Sequence, residues 1–380
     1  MSGAPRHHVV LTGFPGNLLA RRVLRHLLEC GEVERVRCIV PARFAERARN
    51  ELEGLPEAQR LRVTLLEGDV IHVDMGLSGV EWRRLTAETT RIHHCAHVAY
   101  FGADRKLAER VNVQGTCEAL ELARHCERLE RLVHWSTALV SGRRQGRVLE
   151  EDLQRPAGGF RNAIEESRFR AEQLVRAARD ELPVVVLRPS IVTGDSRTGE
   201  TDRVDGPFLL ALLLLSLPRD VGLPLPGSGE IPLNLVPIDF VVEAGCRLAA
   251  DPRAVGRTFH LVDPDPPTVR QVFELLSAAA GRPAPRGNVS PALATALMRL
   301  PGVGRLAGVP RAFLEQLALP VVWDDRGARQ ILAAQGLRCP PFASYAARIV
   351  EFARRHREAR RARRVQPELF SREVELDEMG

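Results

Sequence analysis

Apolar positions along the first 190 residues alternate between two patterns. Short apolar runs occur at Val9–Thr12, Val36–Val40, Val63–Leu66, Arg91–Ala96, Leu132–His134 and Val184–Leu187, each of strand length. Between them, Leu18–Cys30, the charged stretch near Ala45–Leu55 and Leu107–Cys126 repeat apolar residues at helical spacing. This alternation predicts an α/β fold with a parallel, doubly wound sheet, in which ligands bind beyond the carboxyl ends of the strands. Past Thr193 the pattern loosens into a polar, glycine-rich stretch over 194–207, an apolar run from Pro207 to Leu217 and a proline- and glycine-rich stretch over 218–237. A helical pattern resumes near Val241–Ala250, and 282–310 is again loop-rich. The expected organisation is a core over 1–193, a smaller lobe over 194–350 that is open to interleaving with the core, and a basic helix with an acidic tail over 351–380. No internal repeat is visible.

Composition narrows the class. The chain has 380 residues, 44% hydrophobic and 27% charged, an ordinary globular balance. The run Pro207–Leu217 is too short for a membrane span of ~20 residues, and no apolar segment precedes the first strand as a secretory signal would. Seven cysteines, at 30, 38, 95, 117, 126, 246 and 339, include no C-x-x-C pair, so the expected setting is reducing and cytoplasmic. The net charge of +6 is concentrated: residues 353–364 hold seven arginines, which argues against a nucleic-acid footprint across the whole chain. Of the 54 basic residues, Lys106 is the one lysine, a bias toward arginine that colours every later reading of an arginine.

The first candidate for chemistry is Thr12-Gly13-Phe14-Pro15-Gly16-Asn17-Leu18. Glycines at a strand's end permit a tight turn and the close approach of backbone to a pyrophosphate, which then sits at the following helix N-terminus. Leu19 stands where a third glycine is usual, and a plain strand–helix turn is the alternative. The second strand ends in Val40-Pro41-Ala42-Arg43 and carries no carboxylate for a ribose 2′-hydroxyl. Arg43 suits a 2′-phosphate instead, which favours NADP(H) over NAD(H); the alternative is an ordinary surface arginine. Asp69, with Val70 after it, is placed to meet an adenine amine or to form a simple Gly-Asp turn.

These residues, with GDV (68–70), HCAHVAYF (94–101), VNVQGT (111–116), HWSTALVSG (134–142) and LRPSIVTGDSRTGE (187–200), resemble the extended short-chain dehydrogenase/reductase superfamily. With PLNLVPIDFVV (232–242) and TFHLVDP (258–264) the chain looks most like the fatty acyl-CoA reductase and thioester reductase branch, over about residues 7–265. The resemblance implies a Rossmann-type domain with a C-terminal substrate lobe. It places Cys95, Ala96 and His97 beside the cofactor, Asn112 in support of the active-site backbone, and Ser136 and Thr137 on the loop after the fifth strand. Thr137 matches the hydroxyl that bonds the substrate carbonyl, and Pro189, Ser190, Ile191 and Val192 match the segment lining the nicotinamide. The implied substrates are small molecules or acyl groups linked to a carrier.

The family's acid–base pair is a tyrosine and, four residues later, a lysine. Here Ile164 and Arg168 occupy those positions, fixed by the flanking Asn162-Ala163 and Ala171-Glu172-Gln173. Arg168 keeps a cation near the ribose; Ile164 has no proton to give. Tyr100 is a possible substitute donor, and helical spacing turns Glu165, Glu166 and Ser167 away from the face of residue 164. Two readings follow: an NADPH-dependent reductase of an acyl thioester, aldehyde or ketone with a non-standard proton source, or a catalytically degenerate protein that senses cofactor or binds a partner.

Other groupings read blandly. His93, His94, Cys95 and His97 lie on a strand where His94 faces away from the others, so no metal is expected. The acidic loop Asp195–Asp205 reads as lining a substrate channel. The helix at 353–364 reads as solvated, with contact to a phosphate-bearing partner or an anionic membrane surface as the alternative.

Overall fold

The computed structural model describes residues 6–98, 104–202, 206–216, 218, 220–289 and 320–365. The core elements are β1 (His7–Thr12), α1 (Leu18–Glu29), β2 (Val33–Val40), α2 (Ala45–Glu53), β3 (Val63–Glu67), α3 (Gly79–Glu88), β4 (Arg91–His94), α4 (Gly115–His125), β5 (Arg131–Trp135), β6 (Gly146–Val148), α5 (Ala163–Ala177), β7 (Val184–Pro189) and β8 (Ile191–Thr193). Then come α6 (Gly206–Ser216), β9 (Leu225–Pro226), β10 (Leu235–Pro237), α7 (Ile238–Ala250), β11 (Thr258–Leu261), α8 (Val269–Ala280), β12 (Asn288–Val289), β13 (Val321–Trp323), α9 (Arg326–Ala334) and α10 (Ala346–Val365).

Seven parallel strands form the central sheet in the order β11-β7-β5-β4-β1-β2-β3. The strand order reverses between β1 and β4, and the crevice for a ligand opens there. Strand residues read as continuous apolar runs because both faces are covered. Val9, Leu11, Cys38 and Val133 pack toward α1, α7 and α9, whereas Val10, Ile39, Ile92 and Leu132 pack toward α3, α4 and α5. Packing over β5 is close enough that a Cβ on Gly245 of α7 would stand 2.3 Å from the Trp135 ring.

Chain order and spatial order part company after Thr193. The segment 194–350 is interleaved: β11 extends the core sheet beside β7, and α7 and α9 cover its face. The smaller lobe is built from α6, α8 and α10 with Leu225, Leu233 and Leu235. Helix α6 is apolar all round because its ten residues Gly206–Leu215 are buried between these partners. The expected single helix over Leu107–Cys126 is divided: a turn at Arg105–Ala108, a wider π-type turn at Glu109–Gln114, then α4. The loop-rich reading of 282–310 falls outside the described residues from 290 on. No helix among the described residues is long and apolar enough to cross a membrane.

Candidate cofactor and catalytic site

The turn after β1 lies at the sheet's reversal point. Gly13 has φ +88°, and a Cβ there would fall 2.7 Å from the backbone of Cys95, so β1's exit and β4's exit touch only because residue 13 is glycine. Asn17 caps α1: its Oδ1 accepts from the Ala20 amide at 2.8 Å and its Nδ2 donates to the Cys95 carbonyl at 3.2 Å. No acidic residue occupies the first turn of α1, which leaves a helix N-terminus suited to an anion. Thr12 to Leu18 thus fit the pyrophosphate of a dinucleotide. Leu19 is half-buried against the core rather than at the turn.

Arg43 and Asp69, read separately from the sequence, meet each other. Arg43 Nη1 donates to Asp69 Oδ2 at 3.0 Å, with the Asp69 side chain 12% exposed and that of Arg43 60% exposed. The guanidinium also lies over the Phe44 ring. Arg43 is therefore an oriented surface arginine beside the strand ends. Val70 packs under Gly115, where a Cβ would fall 2.9 Å away.

A polar chain that sequence reasoning missed runs beneath the site. Thr116 Oγ1 donates to the Asn112 carbonyl at 2.6 Å, so it accepts from His94 Nε2 at 3.2 Å. His94 Nδ1 then accepts from Thr12 Oγ1 at 2.9 Å, and that oxygen accepts from the Ala96 amide at 3.1 Å. This tautomer is the one that satisfies every member. Burial lowers the His94 pKa to about 3, so the ring is neutral. Thr12 and His94 at strand ends and Thr116 at a helix start were the available signal, but their meeting depends on register.

Asn112 is buried beside the exit of β4. Its Oδ1 accepts from the Val98 amide at 2.8 Å and its Nδ2 donates to Ser167 Oγ at 2.8 Å, joining the exit of β4 to α5. His97 is half-buried next to this exit. Among the described residues no group of three histidine, cysteine or acidic side chains is arranged to hold a metal.

The two hydroxyls after β5 diverge. Ser136 is turned inward and donates to Glu172 at 2.5 Å; Glu172 in turn receives Arg188, and both are completely buried. Thr137 Oγ1 lies half-buried between the Leu139 amide, from which it accepts at 3.2 Å, and the Pro189 carbonyl at 3.4 Å. Thr137 and the Pro189–Val192 segment therefore converge. Ser190 Oγ donates to Asn234 Oδ1 at 2.7 Å, which fixes that segment from behind. Ile191 and Val192 are half-buried where they begin β8.

At the family's acid–base positions, Ile164 is half-buried in the first turn of α5. Arg168 is 5% exposed, and its Nη2 donates to the Trp135 carbonyl at 2.5 Å, so its cation is engaged at the end of β5. Burial lowers its pKa to about 10, and it stays charged at neutral pH. Glu165 is paired with Arg161, both side chains almost wholly buried, and Glu166 with Arg155 and Arg105. Ser167 donates to the Ile164 carbonyl at 2.9 Å. Tyr100 lies outside the described residues. Over Asp195–Asp202 the acidic loop is tied to α1: Arg22 bonds Asp195 and Glu200, and Arg21 bonds Asp202. The basic helix contributes Arg354 and Arg357 to a cavity of about 500 Å³ with Leu215 and Arg282, away from the strand ends.

Comparison with known proteins identifies the class. The NAD-binding family described as male sterility protein matches residues 11–245, and the chain belongs to it, within the thioester reductase branch of the extended short-chain dehydrogenase/reductase superfamily. The chain is 31% identical over 277 residues to nonribosomal peptide synthetase asaC of Aspergillus flavus, covering 68% of this chain and 26% of that protein. It is 24% identical over 269 residues to fatty acyl-CoA reductase wat of Drosophila melanogaster, covering 61% and 51%. The chain thus spans about a quarter of the first relative's length and half of the second's. The terminal R domain from the myxalamid PKS-NRPS biosynthetic pathway superposes with a TM-score of 0.77 at 25% identity, covering 94% of this chain and 92% of that one. The chain is an NAD(P)-binding, reductase-type domain related to the reductase domains of nonribosomal peptide synthetases.

Proposed function

We propose that this chain reduces an acyl thioester, carried on a carrier protein or on a small thiol, with NADPH as the electron donor. The observation that carries the reading is the convergence of Thr137 and the Pro189–Val192 segment at the carboxyl ends of β5 and β7. A hydroxyl held there is suited to receive the carbonyl oxygen that becomes negative in the reaction. Bound reduced nicotinamide supplies the hydride. Thr12–Leu18 and the N-terminus of α1 hold the pyrophosphate, and Asp69 and Arg43 hold the adenosine end. The relatives named for nonribosomal peptide synthesis, and the solved thiolation-reductase di-domain at 18% identity, support a carrier-linked substrate. The test is NADPH oxidation with acyl-phosphopantetheine thioesters of several chain lengths, followed at the nicotinamide absorbance band. Consumption that depends on both partners supports the reading, and none across the panel removes it.

Ile164 favours a second reading, a degenerate domain that binds cofactor or partner without turnover. It is separated from the first by the same assay.

Cofactor choice rests on Arg43. Arg43→Ala is expected to weaken NADPH binding by roughly five- to tenfold, the scale of one exposed charge-assisted contact, while leaving NADH binding unchanged. Equal losses for both nucleotides would assign Arg43 to the adenine face instead.

A further inference from the structure

Resting on the reductase reading above, we propose that Asn234 is a positioning residue for the cofactor: acting through Ser190, it holds the Pro189–Val192 segment where the nicotinamide end of NADPH binds. The chain changes neighbours at Ser190. Up to Pro189 it runs as β7, between β5 and β11, with Leu261 of β11 opposite Pro189. The last backbone bond to β11 runs from the Ser190 amide to the Leu261 carbonyl at 3.2 Å. From Ile191 the chain continues as β8, and its neighbour is now β10, with Leu235 opposite Ile191. Between these two ladders the segment depends on side chains for its orientation.

Asn234 supplies that link at the entry to β10. Its amide pairs with the backbone of Asp263 as a second peptide would: Oδ1 accepts from the Asp263 N–H at 3.0 Å and Nδ2 donates to the Asp263 carbonyl at 2.8 Å. The second acceptor site of the same Oδ1 receives Ser190 Oγ at 2.7 Å. The Asp263 carboxylate is turned to the Asp265 amide at 3.0 Å, so Asp263 enters this arrangement through its backbone. Asn234 is itself anchored on both sides, because the Leu233 amide donates to the Pro267 carbonyl at 2.8 Å and Leu235 opens the ladder with β8. Ser190, Asn234 and Asp263 are all buried, so a lost bond leaves a polar group without a partner. One residue earlier, the Pro189 carbonyl accepts from Thr137 Oγ1 at 3.4 Å. The segment is thereby tied to the exit of β5 through Pro189, and to the exit of β11 and the entry of β10 through Ser190. Breaking the Ser190–Asn234 bond loosens the nicotinamide end alone. The turn at Gly13 and the cap at Asn17, which fit the pyrophosphate, share no bond with it.

The experiment compares two ligands. NADPH carries the nicotinamide; 2′-phospho-ADP-ribose keeps the adenosine 2′-phosphate and the pyrophosphate and lacks it. Both are titrated by calorimetry into wild type, Ser190→Ala, Asn234→Ala and the double variant, with thermal unfolding recorded on the same samples. Wild type is expected to bind NADPH more tightly than the fragment. Ser190→Ala should weaken NADPH by about three- to tenfold, the scale of one buried hydrogen bond, and leave the fragment unchanged. Asn234→Ala should weaken NADPH at least as much, and the double variant no further, because Ser190 acts only through Asn234. Unchanged NADPH binding in Ser190→Ala would overturn the proposal. So would equal losses for both ligands, which would make the link merely structural, and so would losses that add in the double variant. Should Asn234→Ala fail to fold, Ser190→Ala decides alone, since it removes one hydroxyl and keeps the Asn234–Asp263 pair. Wild type that binds neither ligand would end the cofactor reading itself; wild type that binds both, with variants that match it, would end only the role of Asn234.

Discussion

Ile164→Tyr combined with Arg168→Lys is expected to raise the rate of aldehyde reduction by about 10²–10⁴-fold, the usual worth of a positioned general acid, or roughly 3–5 kcal/mol of barrier. The frame for the restored pair is in place. Asn162 caps α5 by accepting from the Glu165 amide at 2.9 Å, and Asn112 anchors Ser167, so residue 164 sits in a fixed first turn. Lysine is needed as well because Arg168 is committed to the end of β5, where its guanidinium reaches the Trp135 carbonyl. A shorter ammonium at 168 is free to lower the tyrosine's pKa. The check is NADPH oxidation with an aldehyde panel, with thermal unfolding measured on the same samples. A double variant that folds, binds NADPH and reduces neither thioester nor aldehyde would show that the pocket no longer admits substrate.

The second large effect is on stability. His93, His94, His134 and His260 are each at most 2% exposed. The neutral form of three of them is written into their bonds. His94 is held in the Thr12–Thr116 chain, and His93 Nδ1 accepts from Trp135 at 3.4 Å. His260 Nδ1 donates to the Asp324 carbonyl at 2.7 Å, and its Nε2 accepts from Arg188 at 3.3 Å. His134 stacks on His94, and neither of its ring nitrogens has a hydrogen-bond partner among the described residues. Burial, foremost, lowers the pKa of His93, His94 and His260 to about 3 and that of His134 well below its ordinary value. The unfolded chain takes up these protons near pH 6.5 and the native chain does not. Their contribution to stability is therefore present above about pH 6.5 and is lost as pH falls toward 3.

His93, His94 and His260 each remove about 2 kcal/mol between pH 7 and pH 5, about 6 together, with His134 acting in the same direction, against the 5–15 kcal/mol typical of a whole domain. Asp263 opposes this weakly: burial raises its pKa to about 6, so the native state gains from its protonation as pH falls through 6. Urea unfolding followed by tryptophan fluorescence, with the Trp135 ring tilted against His93, should show a midpoint that collapses between pH 7 and pH 5. An unchanged midpoint would mean that these rings are solvated in the native protein.

The core was legible because its signals are local. A parallel strand covered on both faces is an apolar run, and a glycine that must approach a neighbouring strand stands where Gly13 stands. The place of Ile164 in the first turn of α5 was legible because Asn162 just before it is a helix-capping residue. What the sequence hid depends on partners far along the chain. Ser136 looked like Thr137's companion, yet its hydroxyl follows the Glu172–Arg188 pair into the core. Arg43 and Asp69 were assigned to two parts of a cofactor and turn out to orient each other. The short strands β6 and β13 pair across more than 170 residues with no periodicity to announce it. The widened turn at Glu109–Gln114 aims Asn112 at Val98, and its helical repeat alone predicts an unbroken helix.

The most direct test of an intact dinucleotide site under an altered acid–base pair is a fluorescence titration of the purified protein with NADPH, with NADH alongside. The turn at Gly13, the cap at Asn17 and the Arg43–Asp69 pair predict saturable NADPH binding in the micromolar range, tighter than NADH. Failure of both nucleotides to bind at millimolar concentration would contradict it, and would leave the fold as a scaffold for a partner rather than for hydride transfer.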